Sequence, residues 1–283
     1  MATVNTSNVS YQTINGSEVF GELYSDKCQL IYNPALHDPR GGWTGFFLEG
    51  LSANYGNVFA RKSLIEVGCG GGYVGVAVLA QEPASWLGTD LNPIAVECTR
   101  CNLAAVYPHT STQIQVVEAN LLQGWETELA QANYVLACIP QVPSDHVDRN
   151  TIETADYYIS DGSRWDNHGL GLVQRLLRQH QEAGSQAKLI MPIGGRPGKD
   201  AIKEFFTQQG FATEIKHSKV IPQDPHTSLK SLAENEQAGV ASYEFYADEE
   251  ATQRLNTAEA EGHRLNGESV FHYLYLIEAR SLS

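Results

Sequence analysis

Positive charge is scarce in this 283-residue chain: 19 Lys and Arg stand against 33 Asp and Glu, a formal net charge of −14. Nucleic-acid binding draws on clustered Lys and Arg to neutralise phosphates, and no such cluster occurs, so the sequence argues against a polyanionic partner and for a small-molecule substrate. Long apolar runs are missing as well. No stretch of about twenty apolar residues is present to cross a bilayer, and the first ten residues lack the basic start and apolar core of a secretory leader. We therefore expect a cytoplasmic protein without a membrane partner. Cysteine is sparse and odd in number (Cys28, Cys69, Cys98, Cys101 and Cys138), which does not describe a disulfide framework. Cys98-x-x-Cys101 has no second pair and falls in a predicted helix, so it reads as an ordinary helix face, and no metal is expected.

What is present is glycine, concentrated in one stretch. Ser63 to Ala80 reads Ser-Leu-Ile-Glu-Val-Gly-Cys-Gly-Gly-Gly-Tyr-Val-Gly-Val-Ala-Val-Leu-Ala, and Gly88-Thr-Asp-Leu-Asn-Pro93 follows. Leu64, Ile65 and Val67 form a short buried-strand pattern, the glycines a tight turn, and Val74 to Ala80 a helix. A second strand, Ser85 to Thr89, ends in Asp90, with Asn92-Pro93 as the cap and first turn of another helix. Gly68, Gly70 and Gly72 let a ligand approach the backbone, and an acid at the tip of the second strand suits two vicinal ribose hydroxyls. The ligand should carry a ribose.

Two frames compete for that ligand. Gly70, Gly72 and Gly75 fit the dinucleotide fingerprint, with Asp90 fifteen residues beyond. In the other frame Glu66 precedes Gly68, Gly70 and Gly72 at the strand end, where it would repel a pyrophosphate and attract the ammonium of an amino-acid tail. Glu66 thus favours a cation-bearing nucleoside.

Further signals run along the chain. Trp43-Thr-Gly-Phe-Phe47-Leu-Glu-Gly-Leu51 sets aromatics beside glycines, either a segment folding over a pocket or the packing of an N-terminal arm over residues 1–50. A helix over Ile94 to Ala105 precedes a strand from Gln113 to Val117, and an apolar strand over Asn133 to Cys138 runs into Ile139-Pro140-Gln141. Past Tyr157, Tyr158 and Asp161, His168 opens an amphipathic helix at Leu170 to Gln181. A strand at Lys188 to Pro192 leads to Gly194-Gly-Arg196-Pro-Gly198, a helix to Gln209 and a strand from Phe211 to Ile215. About fifty residues then separate this strand from a last one at Val270 to Ile277. They read as an insertion over about 218–268, helical at Leu229 to Glu236 and Glu249 to Gly262.

The Glu66-x-Gly68-x-Gly70-x-Gly72 frame with Asp90 resembles the cofactor site of class I S-adenosylmethionine-dependent methyltransferases. The resemblance implies a Rossmann-like α/β domain at 51–283, a mainly parallel seven-stranded sheet with helices on both faces. It further implies that Glu66, Gly68, Cys69, Gly70, Gly72, Asp90, Leu91, Asn120, Leu121 and Cys138 hold S-adenosyl-L-methionine. Asn120 stands where that family places an acid or amide against adenine, or it is simply a turn residue. Amino-methylating relatives commonly carry Asn/Asp-Pro-Pro-Tyr after the fourth strand. Here Cys138-Ile139-Pro140-Gln141 lacks the nitrogen-holding side chain, which speaks against N-methylation. Trp43 to Leu51, Cys138 to Gln141, Gly169-Leu-Gly171-Leu and Gly194 to Gly198 together resemble the methyltransferase portion of the methionine S-methyltransferases, in their smaller bacterial form. That likeness implies a thioether acceptor that needs no general base, with Gln141, Tyr157 and Tyr158 as positioning groups. Trp43, Phe47, Ile139 and Pro140 would form walls, Arg196 would meet the acceptor carboxylate, and Asp161 or Asp166 its ammonium. Each has a plainer reading: Arg196 as a strand-end cap, the tyrosines as core aromatics, and His168 as a helix-start residue.

Overall fold

The computed structural model describes residues 11–21, 28–143, 164–224 and 227–282. The chain divides into two compact units, one ending at Gly124 and the other starting at Trp125. Tyr157, Tyr158 and Asp161 lie outside the described residues.

The first unit opens with β1 (Gln12–Asn15), α1 (Gly16–Phe20) and β2 (Gln29–Tyr32). β1 and β2 form an antiparallel ribbon with Thr13 opposite Ile31. α2 (Gly42–Tyr55) occupies the glycine-and-aromatic segment, despite three glycines within it. A glycine costs a helix about 1 kcal/mol. Phe47, Leu51 and Tyr55 recur every four residues and are buried together with Phe46, each worth about 1.5–3 kcal/mol, so burial wins. Phe47 is thereby sealed in the interior and Trp43 is half-buried on the first turn.

The strand-turn-helix alternation follows: β3 (Ser63–Val67), α3 (Tyr73–Leu79), β4 (Ser85–Asp90), α4 (Pro93–Val106) and β5 (Gln113–Glu118). β3, β4 and β5 are parallel in that order, with Glu66 opposite Gly88 and Asp90 opposite Glu118. Asn92 caps α4 by accepting from the Ile94 N–H, and Pro93, which has no N–H to leave unpaired, takes the first helical position.

The second unit holds α5 (Glu126–Gln131), β6 (Tyr134–Ala137), a 3-10 turn at Arg164–His168, α6 (Gly171–Glu182), β7 (Lys188–Gly194), α7 (Lys199–Gln208) and β8 (Phe211–Pro222). α8 (Leu229–Gln237), β9 (Phe245–Tyr246), β10 (Arg254–Leu255), α9 (Thr257–Leu265) and β11 (Phe271–Ser281) complete it. β6 and β7 are parallel, while β11 runs antiparallel to both β7 and β8. β8 continues past the expected end at Ile215 because β11 pairs with it all the way to Pro222. Besides the β1–β2 ribbon, three strands in the first unit's parallel run and six in the second make nine among the described residues, where a seven-stranded sheet was expected.

The additional two, β9 and β10, lie in the segment read as a helical insertion. Residues 249–256 are not helical, because Asp248 accepts from the Thr252 and Gln253 N–H groups and from the Thr252 hydroxyl, holding a turn there. Asn256 and Glu259 then form a capping box that starts α9 at Thr257. Leu229, Leu232, Tyr243, Phe245, Leu255, Ala260 and Val270 give this segment a small core of its own. No helix among the described residues is long and apolar enough to cross a membrane.

Candidate functional site

The glycine turn between β3 and α3 is fixed from three sides. The Gly68 and Cys69 N–H groups donate to the Thr89 carbonyl at 2.8 and 3.0 Å, and Gly72 N–H to Cys69 O at 2.7 Å. Gly70 N–H donates to Asp90 Oδ2 at 2.9 Å, and Asn92 N–H to Asp90 Oδ1 at 2.9 Å. Gly68, Gly70 and Gly72 sit at φ of 70°, 55° and 79°, the left-handed region that glycine enters without strain. A Cβ built on Gly70 meets nothing within 4 Å, so the turn is open on that side. Asp90 is half-buried; desolvation raises its pKa and its backbone hydrogen bonds pull it down. Each carboxylate oxygen has spent one lone pair on the backbone and keeps another for a hydroxyl donor.

Glu66 occupies a different layer. It is 1% exposed, and a Cβ on Gly75 would lie 3.3 Å from its Oε2 and 2.7 Å from the Trp86 ring. Gly75 and Gly88 leave the space that the indole fills. Glu66 Oε2 and Trp86 Nε1 are both buried without a hydrogen-bond partner. Desolvation lifts the Glu66 pKa well above the glutamate range; the nearby indole N–H offsets part of this without reaching hydrogen-bond geometry, and the Asp90 charge adds to it. The sign follows directly. An unfolded Glu66 ionises above its ordinary pKa while the folded one stays protonated, so its contribution to stability is lost as pH rises. Glu66→Gln should therefore raise the thermal midpoint of the cofactor-free protein, by a margin that grows between about pH 5 and pH 8 in scanning calorimetry.

Cys69 is buried, Leu91 follows Asp90, and Asn120 and Leu121 follow β5. Leu121 has φ 56°, a conformation that costs a residue with a Cβ about 1 kcal/mol or more and tends to be kept where a site demands it. The sequence reading missed two residues here. Thr99 Oγ1 donates to Gly70 O at 2.8 Å and Asn102 Nδ2 to Gly71 O at 2.8 Å. They stand three apart on α4, two polar groups on a face otherwise made of Ala95, Cys98 and Leu103, and that interruption is the signal that marks them. Cys98 is buried on this face and Cys101 is exposed; among the described residues none of the five cysteines is in a disulfide.

In the second unit, Cys138, Ile139, Pro140 and Gln141 follow β6. β6 pairs with β7 as far as Leu136 and Ile190, which leaves the next β7 groups on that edge without a strand. The Gln141 side chain takes the strand's place: Nε2 donates to Pro192 O at 2.7 Å and Oε1 accepts from Gly194 N–H at 2.9 Å. Its main-chain carbonyl accepts from Arg196 Nη2 at 2.9 Å. Gly169 (φ 74°) is needed beside it, since a Cβ there would lie 2.6 Å from Gln141 O. Gly195 and Gly198 flank Arg196, a Cβ on the first meeting Tyr273 at 2.7 Å and on the second Glu244 at 2.9 Å. The turn therefore presents Arg196 in one way only.

Arg196 is half-buried and its pKa is lowered by desolvation, with Tyr243 and Asp224 opposing. Among the described residues its guanidinium makes that single hydrogen bond and no ion pair. His272 is 3% exposed and stays neutral, its pKa pushed down to about 3 by burial and by Arg196; Nδ1 lies 2.7 Å from Tyr273 O. Asp166, on the 3-10 turn, is 5% exposed with Oδ1 unpartnered. His168 packs against Trp165 and Tyr243.

A sequence model of the family described as methyltransferase small domain matches residues 42–156. Methionine S-methyltransferase of Zea mays is 26% identical over 280 residues, covering 88% of this chain and 25% of that protein. The enzyme of the same name from Arabidopsis thaliana is 26% identical over 248 residues, covering 78% and 23%. The chain thus spans about a quarter of the length of these relatives. Magnesium protoporphyrin IX methyltransferase from Synechocystis, solved with bound S-adenosylmethionine, superposes with a TM-score of 0.42 at 12% identity over 84% of this chain and 81% of that one, too distant to bear on function. The cofactor is S-adenosylmethionine, and an open glycine turn beside a carboxylate with free lone pairs fits it. With that turn in place and the methyltransferase small domain model lying over it, the match and these relatives together support a class I S-adenosylmethionine-dependent methyltransferase.

Proposed function

We propose that this methyltransferase acts on the thioether sulfur of methionine, giving S-methylmethionine. The observation that carries this reading is Arg196: a desolvated guanidinium held by one carbonyl, with Asp224 acting on it only beyond ion-pair distance, has a planar fork for an acceptor carboxylate. Asp166, buried with an unpartnered oxygen in the same unit, supplies the opposite charge for an ammonium, a role Asp161 would share. The names of the Zea mays and Arabidopsis relatives agree with this acceptor. The acidic balance of the chain suits a small zwitterion better than RNA.

When bound, the cofactor supplies an electrophilic methyl group. We assign its ribose to Asp90, its adenine to Asn120 and Leu121, and its ammonium-bearing tail to the Gly68–Gly72 turn; Glu66, expected from the sequence to meet that ammonium, is sealed against Trp86 in its neutral form and is not assigned to it. A thioether has no proton to lose, so the acceptor residues need only orient it. Gln141 does so indirectly, by bracing β7 and holding Arg196, while Ile139 and Pro140 form an apolar wall. No general base is required, and His272, its pKa pushed down to about 3, would be a weak one.

Mass spectrometry after incubation with the cofactor and each amino acid tests the acceptor, and a methyl gain confined to methionine is expected. At saturating substrate the rate should be flat from about pH 6 to pH 9. A rising limb, together with methyl transfer to a hydroxyl or carboxylate compound instead, would establish a different small-molecule acceptor.

A further inference from the structure

The face of α4 that holds the glycine turn also holds the N-terminal arm. β2 pairs with β1 on one edge only, and on its other edge Ile31 meets a side chain instead of a strand. Asn102 Oδ1 accepts from Ile31 N–H at 2.7 Å, and Nδ2 donates to Ile31 O at 3.0 Å as well as to Gly71 O at 2.8 Å. Asn102 is 1% exposed, so no water competes for these bonds. Tyr73, the first residue of α3, adds a hydroxyl bond to the same Ile31 carbonyl at 3.0 Å.

The peptide between Gly71 and Gly72 is pinned at both ends, its oxygen by Asn102 and its N–H by Cys69 O. The preceding peptide has its oxygen drawn toward α4 by Thr99. A trans peptide points its N–H opposite to its C=O, so the Gly71 N–H is aimed away from α4, and it has no partner among the described residues. Thr99 and Asn102 thus set the direction of the turn's donors, but only Asn102 also touches the arm.

We propose that Asn102 is a positioning residue for cofactor binding, one whose side-chain amide couples the N-terminal arm to the glycine turn, with the Tyr73 hydroxyl supporting the arm-side bond. Coupling of this kind is reciprocal: a ligand that tightens the turn slows the opening of the arm, and a loosened arm weakens the ligand. The inference rests on the cofactor and is independent of the acceptor.

Hydrogen–deuterium exchange over residues 28–33 of the full chain, with and without S-adenosylhomocysteine, tests it, alongside calorimetric titration of the same ligand. In the wild-type protein the ligand should slow exchange at Ile31 by about fivefold or more. Asn102→Ala should raise the Kd about tenfold and abolish that ligand-dependent slowing. Thr99→Val should weaken binding yet keep the slowing, because it loosens the turn without touching the arm. Should Asn102→Ala fail to fold, Tyr73→Phe, which removes only the arm-side hydroxyl bond, should speed Ile31 exchange and shrink the ligand's effect. Ile31 exchange indifferent to the ligand in the wild-type protein, or slowing that survives in Asn102→Ala, would overturn the proposal.

Discussion

Replacing Asp90 with alanine should raise the Kd for S-adenosylmethionine by roughly two to three orders of magnitude in calorimetric titration. Hydrogen bonds to a charged acceptor contribute about 1.5–3 kcal/mol each, a ribose presents two hydroxyls, and every 1.4 kcal/mol is a factor of ten. A further loss comes from the turn itself, because Asp90 Oδ2 is the acceptor for Gly70 N–H and Oδ1 for Asn92 N–H. Asp90→Asn separates the two contributions: its one carbonyl oxygen serves either the turn or the ligand, so its affinity should fall between wild type and alanine. Unchanged affinity in Asp90→Ala would remove the ribose from this strand tip and with it the orientation assigned to the cofactor.

The second large effect is expected at Arg196. Arg196→Gln should raise the KM for methionine by roughly 30- to 100-fold while leaving cofactor affinity within about twofold, since it removes a charge-assisted fork and spares the glycine turn. Glutamine retains a donor for the Gln141 carbonyl, so the local fold has a substitute for the bond that arginine makes there. Arg196→Lys keeps the charge but not the planar fork and should fall between the two. The decisive comparison is between methionine and methionine amide. Wild-type enzyme should prefer the carboxylate form, and Arg196→Gln should have lost most of that preference; a preference retained in full would assign the carboxylate elsewhere.

The glycine turn and the strand tip beside it were legible in the sequence because their constraints are local. A strand must end, a turn must admit left-handed dihedrals, and an acid must stand at the next strand's tip, so Gly68 to Gly72 and Asp90 could be placed from spacing alone. Glu66 was legible only in kind. Its burial against Trp86 depends on Gly75 and Gly88 standing on different elements, and nothing in its immediate neighbours announces that. The segment of α2 was read as one folding over a pocket or packing as an N-terminal arm, and its helix was missed because Phe47, Leu51 and Tyr55 recur every four residues across intervening glycines. The turn at Asp248 and the capping box at Asn256 moved the last helix by several residues, side-chain chemistry that periodicity does not register. Asn102 escaped notice because its partners are 71 and 31 residues away.

The amide of Gln141 also has an evolutionary consequence. A lineage drifting from this loop toward the Asn-Pro-Pro-Tyr pattern of nitrogen methylation would have to exchange the glutamine for an aromatic ring. An aromatic ring cannot reproduce the paired donor and acceptor that bridge Pro192 O and Gly194 N–H, so the first step would leave two buried backbone groups unsatisfied, at about 1–3 kcal/mol each. Such intermediates would lose stability before any new acceptor could be selected, unless β6 were lengthened first to supply the missing bonds.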